Sequence, residues 1–407
     1  MKKILVIGYV WPEPNSSAAG SHMLSILRLF KKQGWQVEFA TPAQKTEHMI
    51  DLDSEGMTSK EITLNCSSFD EYIQILSPDI VMFDRFMMEE QFGWRIDKYC
   101  PDALKILDTE DLQCLRNARH QAHKQERTMT CSDLLHSDIA KREIAAILRC
   151  DISLIISSFE MQLLTDTFNI SSDILHYLPF MLDLKQLPTK TKSFNERCGF
   201  MTIGNFRHAP NWDAVLFLQK LWPLIRKQLP DAQLYIYGSY PPPKATALNN
   251  PKMGFNIKGW ADNALEVIQS ARICLAPLRF GAGIKGKLLD AMIVGTPNIT
   301  TDIGAEGMYD NEQWPGEITK DINDFVKQAV HLYQNEQSWN KAQHAATPLL
   351  KNRYDGEALG KLFIDKLTQT SSELSKHRLN NFIGAMLKHH TMASTKYMAQ
   401  WIEAKNR

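Results

Sequence analysis

The chain has 407 residues, with 46 Lys plus Arg against 46 Asp plus Glu, 44% hydrophobic and 23% charged. A zero formal charge exerts no global pull on nucleic acid, so no nucleic-acid partner is expected, and an anionic surface would have to be met by a local patch. The length exceeds one ordinary core and predicts about two domains.

The opening MKKILVIGYV sets two lysines before a short apolar run. It lacks the cleavage pattern of a secretory signal and reads as a buried strand over 3–9. The polar loop WPEPNSSAAGS leads to an apolar-periodic helix over 22–33, closed by Gly34, and WQVEFAT follows as a strand. Such a βαβ opening predicts a doubly wound parallel sheet. Residues 42–60 are polar and carry no assignment. Asp51-Leu52-Asp53 within them has no strand before it and reads as coincidence rather than as a metal motif. Further strands are expected at 80–83, 105–108 and 152–157, with helices at 68–75, 89–98 and 132–149. These strands end in polar residues, Asp84 and Arg85, then 108–111, then Ser157 and Ser158, and ligands of open α/β sheets gather at such carboxyl ends. The basic run RNARHQAHKQER, residues 116–127, has no interleaved aromatics and reads as a solvated helix face.

Residues 183–195, DLKQLPTKTKSFN, have no apolar period and mark a domain boundary. A second αβ series follows, with strands in GFMTIGNF, AQLYIYG and 255–258 and helices over 212–228 and 264–269. It leads to ARICLAPLRFGAGIKGKLLDAMIVGTPNITTD, residues 271–302. Here an apolar strand meets Gly281, Gly283 and Gly286, and then a helix and another strand. A glycine loop opening a helix gathers bare N–H groups and the positive end of the helix dipole, which suits a diphosphate. Lys285 adds a charge inside the loop, and Asp290, one turn past Gly286, is placed for a ribose. GAGIKG also fits G-x-G-x-x-G, but a dinucleotide fingerprint normally follows the first strand of its domain, and this one follows several αβ units.

Seven scattered cysteines without C-x-x-C predict free thiols in a reducing, cytoplasmic compartment. No apolar run reaches the roughly 18 residues of a membrane span. The tail, 381–405, carries Phe382, Met386, Met392, Met398, Trp401 and Ile402 and reads as amphipathic helix. Packing on its own domain is the favoured reading, with peripheral membrane contact as the alternative. The adjacent His389 and His390 point about 100° apart on a helix, so no metal site is expected there.

With this layout and FGAGIKGKLLDAMIVGTPNITTDIGAEGM, GNFRHAPNWDAV and FNIKGWADNALEVIQSARICLAPL, the chain resembles the family 4 glycosyltransferases, retaining enzymes of the GT-B fold. The resemblance covers nearly the whole chain. It implies an α/β fold of two Rossmann-like domains facing across a cleft: 1–185 on the acceptor side, 186–380 on the nucleotide-sugar side, and a C-terminal helix, 381–407, crossing back to the first. It further implies transfer of a hexosyl group from a nucleotide-diphosphate sugar to an unidentified acceptor. No cofactor is expected, and no metal, because the loop, the helix dipole and Lys285 already supply positive charge to the diphosphate and no carboxylate pair stands ready to carry an ion. The family's two glutamates, seven residues apart, fall on Ala282 and Asp290, so one carboxylate is missing. Lys285 matches the family's phosphate-clamping lysine, and Arg207 is the candidate for its arginine. Glu110, followed by Asp111, takes the place of the His of a His-Asp pair near the reacting sugar. The first domain's glycine loop corresponds to Ser16, Ser17, Ala18, Ala19 and Gly20, whose serines equally suit a helix cap. Sugar-nucleotide epimerases, dehydrogenases and non-catalytic nucleotide-sugar binders are the alternatives.

Overall fold

The computed structural model describes residues 1–406, and the side chains within them except at 390–393, so His390 and Met392 lie outside the described side chains. The first domain holds β1 (Lys3–Ile7), β2 (Gln36–Thr41), β3 (Thr58–Glu61), β4 (Ile80–Asp84), β5 (Leu104–Asp108), β6 (Ile152–Ile155) and β7 (Leu175–Tyr177). Their order across the sheet is β3-β2-β1-β4-β5-β6-β7. The second holds β8 (Phe200–Ile203), β9 (Leu234–Tyr237), β10 (Phe255–Gly259), β11 (Ile273–Ala276), β12 (Asn298–Thr301) and β13 (Gly316–Thr319). They lie in the order β10-β9-β8-β11-β12-β13. Every pairing within the two sheets is parallel.

The inner strands are buried on both faces because each is an unbroken apolar run under helices on either side, as in β4 (IVMFD) and β11 (ICLA). Both sheets reverse their winding once, between β1 and β4 and between β8 and β11. A crevice opens at each reversal, outside the strands' carboxyl ends. The two crevices face each other, and the loop after β11 meets the loops after β5 and β6.

Several local expectations need correction. β3 lies in and just beyond the stretch left unassigned, and all four of its residues are exposed. The helix expected over 132–149 is two, Cys131–Leu135 and Asp138–Arg149, because the Ser137 side chain caps the second by accepting from the Ala140 N–H. The chain also returns to the first domain earlier than residue 381. Leu182, leaving that domain, exchanges backbone hydrogen bonds of 2.9 Å with Tyr354 and Gly356, which re-enter it. From there helix Gly356–Ser372 sinks Phe363 and Leu367 into the first domain's core. Helix Leu374–Asn380 clamps Asp151 between Nε and Nη2 of Arg378, both at 2.8 Å. The long helix Phe382–Asn406 then lies on helices Phe86–Tyr99 and Asp138–Arg149.

Candidate active site

The glycine loop after β11 is shaped by close approach. Gly283 has φ 63°, and a Cβ there would lie 2.8 Å from the Asp111 Cβ of the first domain. Helix Gly286–Ile293 begins beside the first helix of the chain, Ala18–Lys32, and a Cβ on Gly286 would meet the Ala18 Cβ at 2.4 Å. The amino ends of the two helices are thus side by side across the cleft with no spare volume, and two partially positive termini converge there. Gly20 lets the first helix lie against the loop that precedes it: a Cβ on it would strike the Glu13 backbone at 2.5 Å. Ser17 caps this helix by accepting from the Gly20 N–H at 3.1 Å, while Ser16 reaches across to the Ser239 hydroxyl at 3.2 Å.

Lys285 lies within the loop, buried, and donates to the Gly283 carbonyl at 2.6 Å. Burial pulls it down to about 8, against the nearby carboxylates of Glu306 and Glu160, so it remains mostly cationic at neutral pH. Ala282 is packed into the first domain's hydrophobic core, which leaves an apolar contact where the resemblance would put a carboxylate.

Two first-domain side chains grip this loop, and neither was singled out from the sequence. Arg119 donates to the Gly281 carbonyl at 2.9 Å and makes a two-pronged pair with Glu306 at 2.7 and 2.8 Å. It sits on helix Gln113–Lys124, so one side of the run expected to be a solvated face is an interdomain face: the His120 ring stacks on Phe280 at 4.4 Å and His123 Nε2 lies 3.4 Å from the Asp213 carboxylate. Glu160, fully buried, accepts from the Gly283 N–H at 2.7 Å and from the Leu112 N–H at 3.2 Å. Its other oxygen has no partner among the described residues. Burial and the neighbouring Asp111 push this carboxyl up to about 8, and the two N–H donors and Lys285 only partly offset that.

At the carboxyl edge of the first sheet stand Asp84, Asp108, Glu110 and Asp111, with Arg85 beside Asp84 and Arg116 paired with Asp111. Arg85 and Glu110 both have left-handed backbones, φ 69° and 57°, uncommon for residues with side chains and a form of strain that gathers at functional sites. The turn is held by the Arg85 N–H donating to the Asp108 carbonyl at 2.7 Å and the Glu110 N–H donating to the Asp108 carboxylate at 3.2 Å. Burial, then Asp108, drives the Glu110 carboxyl well above the usual range against the pull of Arg85. Burial and Asp84 lift Asp108 to about 7.

On the nucleotide side, Asp290 is half-buried on helix Gly286–Ile293, its carboxylate has no hydrogen-bond partner among the described residues, and burial raises it to about 7. Lys287 reaches over the end of β8, donating to the Asn211 side chain at 2.8 Å; its Nζ would lie 2.9 Å from a Cβ on Gly204. Arg207 is exposed and lies 3.7 Å over the Tyr240 ring, whose hydroxyl faces Glu13 at 3.4 Å. The second cation on the helix that carries Lys285 is therefore Lys287. His208, water-accessible but deep in the cleft, is held at about 4 by desolvation and by Arg116, Lys287 and Lys285, against Asp111.

Comparison with known proteins bears on this arrangement. Residues 197–335, which contain the glycine loop and Asp290, match the family model described as glycosyl transferases group 1. An uncharacterized 44.6 kDa protein of the cps region of Klebsiella pneumoniae is 27% identical over 179 residues, 42% of this chain and 46% of that protein. The match therefore spans about half of that relative. Among solved structures, sucrose-phosphate synthase from Thermosynechococcus elongatus aligns with a TM-score of 0.66 at 14% identity, over 91% of this chain and 100% of that one. TarM of S. aureus, in complex with fondaparinux, alpha-GlcNAc-glycerol and UDP, gives 0.68 at 10% over 90% and 99%. Anabaena HepE, in complex with UDP and glucose, gives 0.68 at 9% over 91% and 100%. The chain accordingly has the GT-B fold, two Rossmann-like domains about a cleft, and its second domain matches the group 1 glycosyl transferases.

Proposed function

We propose that this protein is a glycosyltransferase that moves a hexosyl group from a nucleotide-diphosphate sugar to an acceptor bound on the first domain, with retention at the anomeric carbon. The observation that carries the reading is the meeting of the Gly281–Gly286 loop, at the winding reversal of the second sheet, with the acid-lined edge of the first. The loop N–H groups, the helix terminus, Lys285 and Lys287 converge where a diphosphate leaving group gathers charge as its bond to the sugar breaks. Asp290 lies further along the same helix, where a ribose on that diphosphate would reach. Glu110 and Asp111 stand across the cleft at the sugar end, where a carboxyl group can hydrogen-bond a hydroxyl or steady positive charge at the anomeric carbon. The close approaches of Gly283 to Asp111 and of Gly286 to Ala18 would keep water from the reacting bond. With cations and N–H donors already supplied by the chain, turnover is expected to need no divalent metal.

The UDP in the TarM and HepE complexes makes uracil the first base to test. Thermal shifts against UDP, GDP and NAD, followed by mass spectrometry of products from a panel of nucleotide sugars with a cell lysate, test the reading. Stabilisation by a nucleoside diphosphate with sugar transfer is expected. Stabilisation by NAD alone would overturn it. Stabilisation by a nucleoside diphosphate without transfer or donor hydrolysis would make the protein a nucleotide-sugar binder.

A further inference from the structure

Helix Phe382–Asn406 has two opposite sides. One packs on the first domain: Gly384 and Ala399 are buried, Ala399 against Trp94, and Glu403 accepts from the Ser67 hydroxyl at 2.6 Å. At about 100° per residue, Phe382, Ile383, Met386, Tyr397, Met398 and Trp401 fall in one sector on the other side. Their exposures are large: 75% for Phe382, 64% for Tyr397 and 60% for Trp401, and Leu379, on the preceding helix, is 79% exposed. Of the 19 large hydrophobic residues exposed among the described residues, seven lie between 379 and 401. An apolar surface gathered in this way marks a contact site, whereas scattered apolar residues do not.

Charge selects the occupant. Residues 374–406 carry five basic side chains, Lys376, Arg378, Lys388, Lys396 and Lys405, and one acidic one, Glu403; Arg378 is engaged by Asp151, Lys376 pairs with Glu373 and Lys388 faces the first domain, which leaves Lys396 and Lys405 for the outer side. Two of the lysines border the apolar sector, with Lys405 5.2 Å over the Trp401 ring and Lys396 5.6 Å over that of Tyr397. Aromatic and methionine side chains edged by lysines on a helix roughly 37 Å long match the interface of an anionic bilayer, where rings enter the headgroup boundary and ammonium groups meet phosphates. No helix among the described residues is long and apolar enough to cross a membrane, so contact would be along the surface. Two copies meeting through this face would bring like charges together.

We propose that the outer face of helix Phe382–Asn406 docks on an anionic phospholipid surface, with Phe382, Tyr397 and Trp401 as its anchors. The full-length protein is to be floated with vesicles of phosphatidylcholine alone and with vesicles also containing phosphatidylglycerol. Flotation with the anionic vesicles, little with the neutral ones and release by high salt are expected. The double variant Phe382→Glu, Trp401→Glu should lower the bound fraction at least tenfold without changing the melting temperature, because both side chains already face solvent. Lys396→Glu with Lys405→Glu should weaken binding in the same direction. No flotation with anionic vesicles, or undiminished flotation of the Phe382→Glu, Trp401→Glu protein, would overturn the proposal. So would a dimer in sedimentation velocity that this double variant dissociates, which would assign the face to a second copy.

Discussion

Glu160 and Gly283 are 123 positions apart and belong to different domains, yet the Glu160 carboxyl group takes the Gly283 N–H at 2.7 Å. A first-domain acid thus occupies one of the loop donors that a diphosphate would also seek. Its remaining oxygen is buried without a partner among the described residues, which is costly for the ionised form.

The first prediction concerns pH. Burial raises Glu160 to about 8 from an unfolded value near 4.5, so the folded protein holds more protons between those limits. The contribution of this group to stability is complete below the unfolded value and is lost as pH rises through about 8. Glu160→Gln keeps an acceptor for Gly283 and removes the ionisation. Its melting temperature should match wild type near pH 5 and exceed it by about 2 °C or more above pH 8. Parallel pH profiles of the two proteins in scanning calorimetry would show that Glu160 does not carry this linkage.

The second concerns the loop. Gly283→Ala adds a Cβ 2.8 Å from Asp111 in a left-handed backbone. The backbone term alone costs roughly 1–2 kcal/mol. The clash should push the domains apart, so turnover is expected to fall at least tenfold while the isolated nucleotide still binds. A crystal structure of this variant with the Asp111 contact unchanged would refute the account.

The third concerns the ribose. Asp290→Asn should weaken nucleotide binding by about 1.5–3 kcal/mol for each charge-assisted hydrogen bond lost. Because burial holds Asp290 at about 7, wild-type affinity should rise between pH 6 and 8 as the carboxylate ionises, and the variant's should not. Calorimetric titration at both values reads the difference, and equal affinities for the two proteins would end the assignment.

The fourth separates binding from turnover. Charge on the diphosphate grows as its bond to the sugar breaks, so Lys285→Ala should reduce kcat by roughly a hundredfold, about 2.7 kcal/mol, and change nucleotide affinity much less. Turnover in wild type should survive a chelator. Loss of activity on chelation, restored by a divalent ion, would replace this leaving-group account with a metal-assisted one.

The fifth concerns the sugar end. Helix Gln113–Lys124 starts three residues after Glu110 with Leu112 as its cap, so Glu110 does not cap it. Glu110→Gln should cut turnover about tenfold, roughly 1.4 kcal/mol in the barrier, and leave nucleotide affinity alone. Unchanged turnover would leave Glu110 with a purely local role in the β5 turn.

What the sequence determined by itself was the part of the molecule whose physics is local. Buried parallel strands must be continuous apolar runs, so β1, β4, β8 and β11 were readable as such, and glycine clustered before a helix announced the loop at 281–286. β3 escaped because its TSKE is wholly exposed and has no burial pattern to read. Only tertiary structure decided what the cleft is made of. Arg119 and Glu306 are 187 positions apart, and the run around Arg119 looked solvated because composition cannot say that a helix faces another domain. Glu160 carries no motif either; its perturbed carboxyl group arises from burial beneath a loop that lies far along the chain. The place of Lys287 over the end of β8 is decided in the same way. Which lysine or arginine faces a crevice depends on how helix Gly286–Ile293 is set against the end of β8, and that is fixed by packing between segments some 80 residues apart.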